Sequence, residues 1–176
     1  MRRLLISALL LRVCCPPYLR AQEPELYMGS EFALLRFYRG YLPSFLTAGI
    51  VAGAQWEIFH SGEAHSLRTW AELHLSYVAR NFPPTIYPGG TAGLGWRINI
   101  PLRHQYYLQG NLGIDAYRFR YIDLGGTSIQ DQQVRPICLI EIGSYTFSGN
   151  VFVRYGFYPI SSSTAKYLFA LGVYMN

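Results

Sequence analysis

The chain has 176 residues, of which 51% are hydrophobic, 16% aromatic and only 14% charged, with a formal net charge of +5. That length suits one domain, and so apolar a composition excludes an intrinsically disordered tail. No unbroken apolar run of about 18 residues occurs, which excludes a transmembrane helix.

Arg2 and Arg3 precede the apolar run at 4–11, and small and turn-forming residues then lead to Leu19, Arg20, Ala21 and Gln22. This is the pattern of a secretory signal peptide over residues 1–21, cleaved after Ala21. A lipoprotein signal ending at Cys14 or Cys15 is the rival, but Arg12 and Val13 are poor lead-in residues for lipidation. Removing residues 1–21 takes away Arg2, Arg3, Arg12 and Arg20, leaving eleven basic side chains against ten acidic ones. The positive charge therefore belongs to the leader and gives no case for nucleic-acid binding. Cys138 is then the sole cysteine, so no internal disulfide is expected, and no zinc ligand set or other cofactor site is expected either. Residues 22–30 read as a periplasmic lead-in and 31–176 as the folded domain.

Eight segments with period-two alternation follow, separated by turn signals. The first covers 31–38, where Ala33, Leu35 and Phe37 oppose Phe32, Leu34 and Arg36. The second, 45–59, sets Leu46, Ala48, Ile50, Ala52, Ala54, Trp56 and Ile58 against Thr47, Gly49, Val51, Gly53, Gln55 and Glu57. In the third, 66–80, Leu67 to Ala79 in steps of two oppose Arg68, Trp70, Glu72, His74 and Ser76. The fourth, 91–100, sets Leu94, Trp96 and Ile98 against Gly93, Gly95 and Arg97. The fifth, 106–118, sets Leu108, Leu112 and Ile114 against Gln109, Asn111 and Asp115. The sixth, 135–145, places Cys138, Ile140 and Ile142 opposite Leu139, Glu141 and Gly143. In the seventh, 150–158, Val151, Val153 and Tyr155 oppose Phe152 and Arg154. The last, 167–175, sets Phe169, Leu171 and Val173 against Ala170, Gly172 and Tyr174.

These lengths match the roughly nine to eleven tilted residues that cross a bilayer, whereas soluble strands average about five or six. The connections at 60–65, 101–105 and 146–149 are short; those at 81–90, 119–134 and 159–166 are longer, and the one at 39–45 is modest. Short periplasmic turns alternating with longer outer loops mark an even-stranded membrane barrel.

Each large apolar side chain left in water would forgo about 1.5–3 kcal/mol of burial, so the Leu, Ile and Trp rows require a cover. The opposite rows carry Glu57, Glu72, Asp115 and Glu141 with Arg36, Arg68, Arg97 and Arg154, which an unrelieved apolar core could not hold. A soluble, exported lipid-binding barrel would invert the two faces, but glycines such as Gly49, Gly53, Gly93 and Gly95 suit a crowded axis better than an outer wall. Trp56, Phe59, Trp96, Tyr106, Tyr121, Phe157 and Tyr167 lie near strand ends, as an interfacial girdle would. The expected fold is an all-β, eight-stranded antiparallel up-and-down transmembrane barrel.

In this architecture residues 31–176 resemble the small eight-stranded outer-membrane barrels of the OmpA, OmpX and OmpW kind. The resemblance implies an outer-membrane location, outer-membrane lipid as surroundings, and the barrel-assembly machinery as a partner. Such chains usually end in an aromatic residue, and Asn176 departs from that pattern.

Three functional readings arise. The eight charged lumen residues can pair into a plug in a structural or surface-interaction barrel, because eight strands leave little interior space. The OmpW likeness implies instead a narrow channel for small apolar solutes, lined by Phe152, Trp70 and Leu139. Glu72, His74 and Ser76 share one strand face and supply the residue types of a hydrolase, with a His-x-Ser spacing similar to that of outer-membrane lipid A deacylases. Tyr77 stands where that family's motif has Asn, and alternation aims His74 at the lumen, whereas their active site opens toward lipid. His60 and His65 flank a turn and make an incomplete metal site. Segments 81–90 and 119–134 are the loop candidates for contact with an extracellular partner.

Overall fold

The computed structural model describes residues 23–37, 45–62, 64–78, 85–101, 105–122, 128–146, 149–159 and 164–175. The segments assigned to the signal peptide, and Asn176, lie outside these residues. Eight strands, β1 (Glu25–Phe37), β2 (Phe45–Ser61), β3 (His65–Val78), β4 (Thr85–Pro101), β5 (Gln105–Ile122), β6 (Ser128–Thr146), β7 (Gly149–Phe157) and β8 (Thr164–Met175), pair in sequence order. The antiparallel sheet closes when β8 pairs with β1, from Leu26↔Met175 to Phe37↔Thr164. Closure removes every sheet edge, the condition for placing strands in hydrocarbon, where unpaired backbone groups have no solvent.

Alternation decides which side chains enter the barrel. On β3 the burial runs strictly in step, with Arg68, Trp70, Glu72 and His74 inside and Ala71, Leu73 and Leu75 outside. The outer wall exposes Leu46, Leu112 and Leu73 at 68%, 68% and 73%, values that only a hydrocarbon environment makes favourable. The inverted, soluble barrel is therefore excluded by the placement of these rows. Inside, small residues make room for large ones: a Cβ on Gly113 would lie 2.9 Å from Trp70 Cζ2, and one on Gly93 would run into the Leu112 carbonyl.

Six of the eight strands are longer than the sequence patterns suggest, and four expectations change. β1 begins at Glu25, so most of the presumed 22–30 lead-in is barrel wall. Its phase is also the reverse of that expected. Glu31 and Ala33 are buried while Phe32 and Leu34 are half exposed. Position 36, paired with Ala165, is in step with Phe32 and Leu34 by backbone alternation, and the Arg36 side chain lies outside the described residues. A charged residue near a strand end does not fix the inner row, because a long side chain there can reach the interface from either face.

β4 begins at Thr85, so half of the presumed loop at 81–90 is strand. Pro88, Gly89 and Gly90, which locally read as a turn, pair with Leu75, His74 and Leu73. Likewise the presumed loop at 119–134 is largely ladder, with β5 and β6 paired as far as Ile122↔Ser128. At about 3.4 Å per residue and a tilt near 40°, eighteen rungs rise roughly 45 Å, well beyond an apolar band of about 25 Å. The upper rungs of this hairpin extend beyond such a band. On β2, a bulge between Glu57 and Phe59 resets the phase, which keeps Glu57 inward and turns Phe59 out.

Candidate functional site: the charged lumen

The inward rows build a continuous polar stack along the barrel axis, with aromatic layers between the charges. Near the strand ends that carry β1's start, Arg68 Nη1 contacts Glu25 Oε2 at 2.7 Å and Arg68 Nη2 donates to Glu57 Oε2 at 3.1 Å. Gln55 donates to the same Glu25 oxygen at 2.7 Å. Arg97 is fully buried. Its Nε donates to Gln109 Oε1 at 2.7 Å, its Nη1 to the Tyr145 hydroxyl at 2.5 Å, and its guanidinium lies 3.9 Å from the centre of the Tyr107 ring. A planar, delocalised cation suits this place because it can stack and donate at once, which an ammonium cannot.

At mid-barrel Arg154 bridges two carboxylates. Its Nε and Nη2 donate to Glu141 Oε2 at 2.8 and 2.6 Å, and its Nη1 pairs with Glu72. Tyrosine hydroxyls add further donors: Tyr27 donates at 2.7 Å to Glu72 Oε2, the oxygen Arg154 also holds, and Tyr107 and Tyr174 donate to Glu141 Oε1, the oxygen Arg154 leaves free, at 2.8 and 2.6 Å. Burying charge is tolerable only when each ion is both paired and hydrogen-bonded, and this layer meets both conditions. Tyr27, Val51, Tyr107, Phe152 and Tyr174 pack as one apolar cluster around it.

Toward the other end, His74 Nδ1 lies 2.5 Å from Glu31 Oε2, while its Nε2 lies 2.6 Å from Thr91 Oγ1 and 3.3 Å from Glu72 Oε1. Asp115 receives Lys166 Nζ at 2.8 Å, the Tyr158 hydroxyl at 2.6 Å and the Thr91 hydroxyl at 3.1 Å. A second apolar cluster, which includes Trp70, Ile137, Leu139 and Leu168, fills the space between these groups and the wall. A cavity of about 30 Å³ is bordered by Glu31, His74, Ser76, Asp115 and Lys166 among others. That is space for one or two water molecules. Glu31 Oε1 has no hydrogen-bond partner among the described residues.

Of the residues singled out from the sequence, Glu57 meets Arg68, Arg154 joins Glu72 to Glu141, and Arg97 lies 3.9 Å from Glu141. Asp115 pairs with Lys166, and the Arg36 side chain lies outside the described residues. Glu25, Glu31 and Lys166 escaped the sequence reading because they fell in segments taken as lead-in, or in a loop, or on a strand read in the wrong phase. The tyrosines could have been found, since Tyr174 already occupied an inward row, but an uncharged ring draws no attention until a carboxylate is seen beside it. The hydrolase constellation does not assemble: the His74 nitrogens are engaged by Glu31, Thr91 and Glu72 rather than by Ser76. Among the described residues no group of three metal-ligating side chains converges.

Neither a family model nor a curated protein matches the sequence. Solved structures do match. The chain is similar to Ail, the attachment invasion locus protein of Yersinia pestis, with a TM-score of 0.58 at 9% identity over 86% of this chain and 97% of that one. It is also similar to neisserial surface protein A, with a TM-score of 0.55 at 14% identity over 88% and 97% of the two chains. The shared feature is the fold of the small eight-stranded outer-membrane barrels.

Proposed function

We propose that this chain is a sealed outer-membrane barrel that acts as a rigid scaffold and presents its β5–β6 hairpin at the cell surface. One observation carries the reading: apolar rows face outward around a lumen whose charges and rings are packed against one another. Arg97 is 0% exposed, and Tyr107, Glu141 and Asp115 are equally buried. Moving an ion through this stack would mean breaking pairs that are costly to leave half satisfied. The narrow-channel reading is disfavoured on that ground, and the hydrolase reading by the engagement of His74.

Two measurements test the proposal together. In planar bilayers the refolded protein should add no stepwise conductance above the bare membrane, and regular steps would refute the sealed lumen. In intact cells a membrane-impermeant maleimide should label Gly125→Cys, in the sequence joining β5 to β6, and spare Gly62→Cys in the turn between β2 and β3, both made in a Cys138→Ser background. The reverse labelling would overturn the orientation. A hairpin truncation must be symmetrical: removing 120–130 takes whole rungs (Arg120↔Gln130 upward), whereas deleting 124–133 would strip β6 alone and break the register.

A further inference from the structure

The outer wall carries a groove of about 300 Å³ across β3 to β6. Its centre is a single row of paired residues, Leu73↔Gly90, Gly90↔Ala116 and Ala116↔Val134. Leu73 and Val134, 73% and 65% exposed, form the walls, and Gly90 and Ala116 leave the sheet backbone as the floor. Two rungs higher, at the next outward pair, the side chains become polar, with exposed Arg118 paired opposite exposed Gln132. Below this row β5 presents Ile114 and Leu112 to the outside. The groove therefore lies where the apolar band ends and the hairpin begins.

We infer that this groove binds a phosphate-bearing lipid of the outer leaflet, one acyl chain lying along Gly90 and Ala116 and the headgroup meeting Arg118. The location selects a lipid, because a cleft at this depth on the outer wall opens into hydrocarbon. The chemistry above it selects the headgroup: a guanidinium forms paired hydrogen bonds to phosphate oxygens, and an adjacent carboxamide adds a further donor. At the edge of the bilayer such a contact is stronger than in bulk water. The inference rests on the membrane placement proposed above and goes beyond the scaffold role.

The test uses the full barrel in phosphatidylcholine vesicles doped with either phosphatidic acid or its uncharged counterpart, diacylglycerol. After extraction into mild detergent, retained lipid is counted by native mass spectrometry. The wild-type protein should retain phosphatidic acid at least five-fold over diacylglycerol. Arg118→Gln should abolish that preference. Gly90→Leu, which fills the floor, should lower retention of both lipids; an added Cβ there meets only ordinary contacts, the nearest at 3.4 Å from the Glu72 carbonyl oxygen. A wild-type protein without preference, or an Arg118→Gln variant that keeps it, overturns the inference. Mobility on gels before and after boiling shows separately whether each variant is a closed membrane barrel, so failure of the lipid site is distinct from failure of the membrane reading. Should Gly90→Leu not fold, Arg118→Gln at the rim still decides.

Discussion

Replacing Arg154 by alanine is expected to lower the unfolding free energy by roughly 3–5 kcal/mol, the range for removing one partner of a buried ion pair. The reason lies in what remains behind. Glu72 is 4% exposed and Glu141 is 0% exposed, and Arg154 is the guanidinium between them. Tyrosine hydroxyls would still hydrogen-bond both carboxylates without carrying compensating charge, and the nearest remaining guanidinium, Arg97, lies 3.9 Å from Glu141 and is already shared with Glu25. Arg154→Lys should recover only part of the loss, because an ammonium cannot donate to Glu141 through Nε and Nη2 and to Glu72 through Nη1 at once. The double variant Arg154→Leu, Glu141→Leu should be more stable than Arg154→Ala alone, since it leaves one stranded carboxylate, Glu72, instead of two. Reversible urea unfolding in lipid vesicles measures each value. A loss under about 1 kcal/mol for Arg154→Ala would mean that water screens this layer as it screens surface pairs, contrary to a packed lumen.

The second large effect is on the outside. Leu112→Arg should cost about 2–4 kcal/mol and Val134→Arg only about 0–1 kcal/mol, because the penalty for a cation on a barrel's lipid face depends on depth. The two positions are exposed almost equally, 68% and 65%. In water they would therefore behave alike, with small effects of either sign. Leu112 pairs with Leu94 and Cys138 well inside the apolar band, while Val134 lies two rungs below Gln132 and Arg118 at its edge. Equal costs at the two sites would contradict the assignment of the outer wall to hydrocarbon.

Much of this arrangement was legible in the chain, for a local reason. Residues two apart on a strand share a face. Thus Arg68, Glu72 and His74 on β3 share one side whatever the rest of the protein does, and Leu73 and Leu75 share the other. The reading failed where a local pattern has two meanings. Pro88, Gly89 and Gly90 favour a turn in isolation, yet here they form rungs opposite β3 because neighbouring strands hold them extended. On β1 the rows around Arg36 were ambiguous until Glu31 was seen to face His74 across 43 residues of sequence. The bulge after Glu57 likewise leaves no mark in a period-two count.

The sequence by itself determined the eight-strand alternation, the apolar outer rows and the polar inner ones, because side-chain direction along a strand is a property of neighbouring residues. Only the tertiary structure decided which charges meet. Arg154 reaches Glu72 across 82 positions, Arg97 reaches Glu25 across 72, and Lys166 reaches Asp115 across 51. Those meetings depend on the stagger of eight strands, the closure of β8 on β1 and the height of each side chain along the axis. These quantities belong to the closed ring and to no single strand.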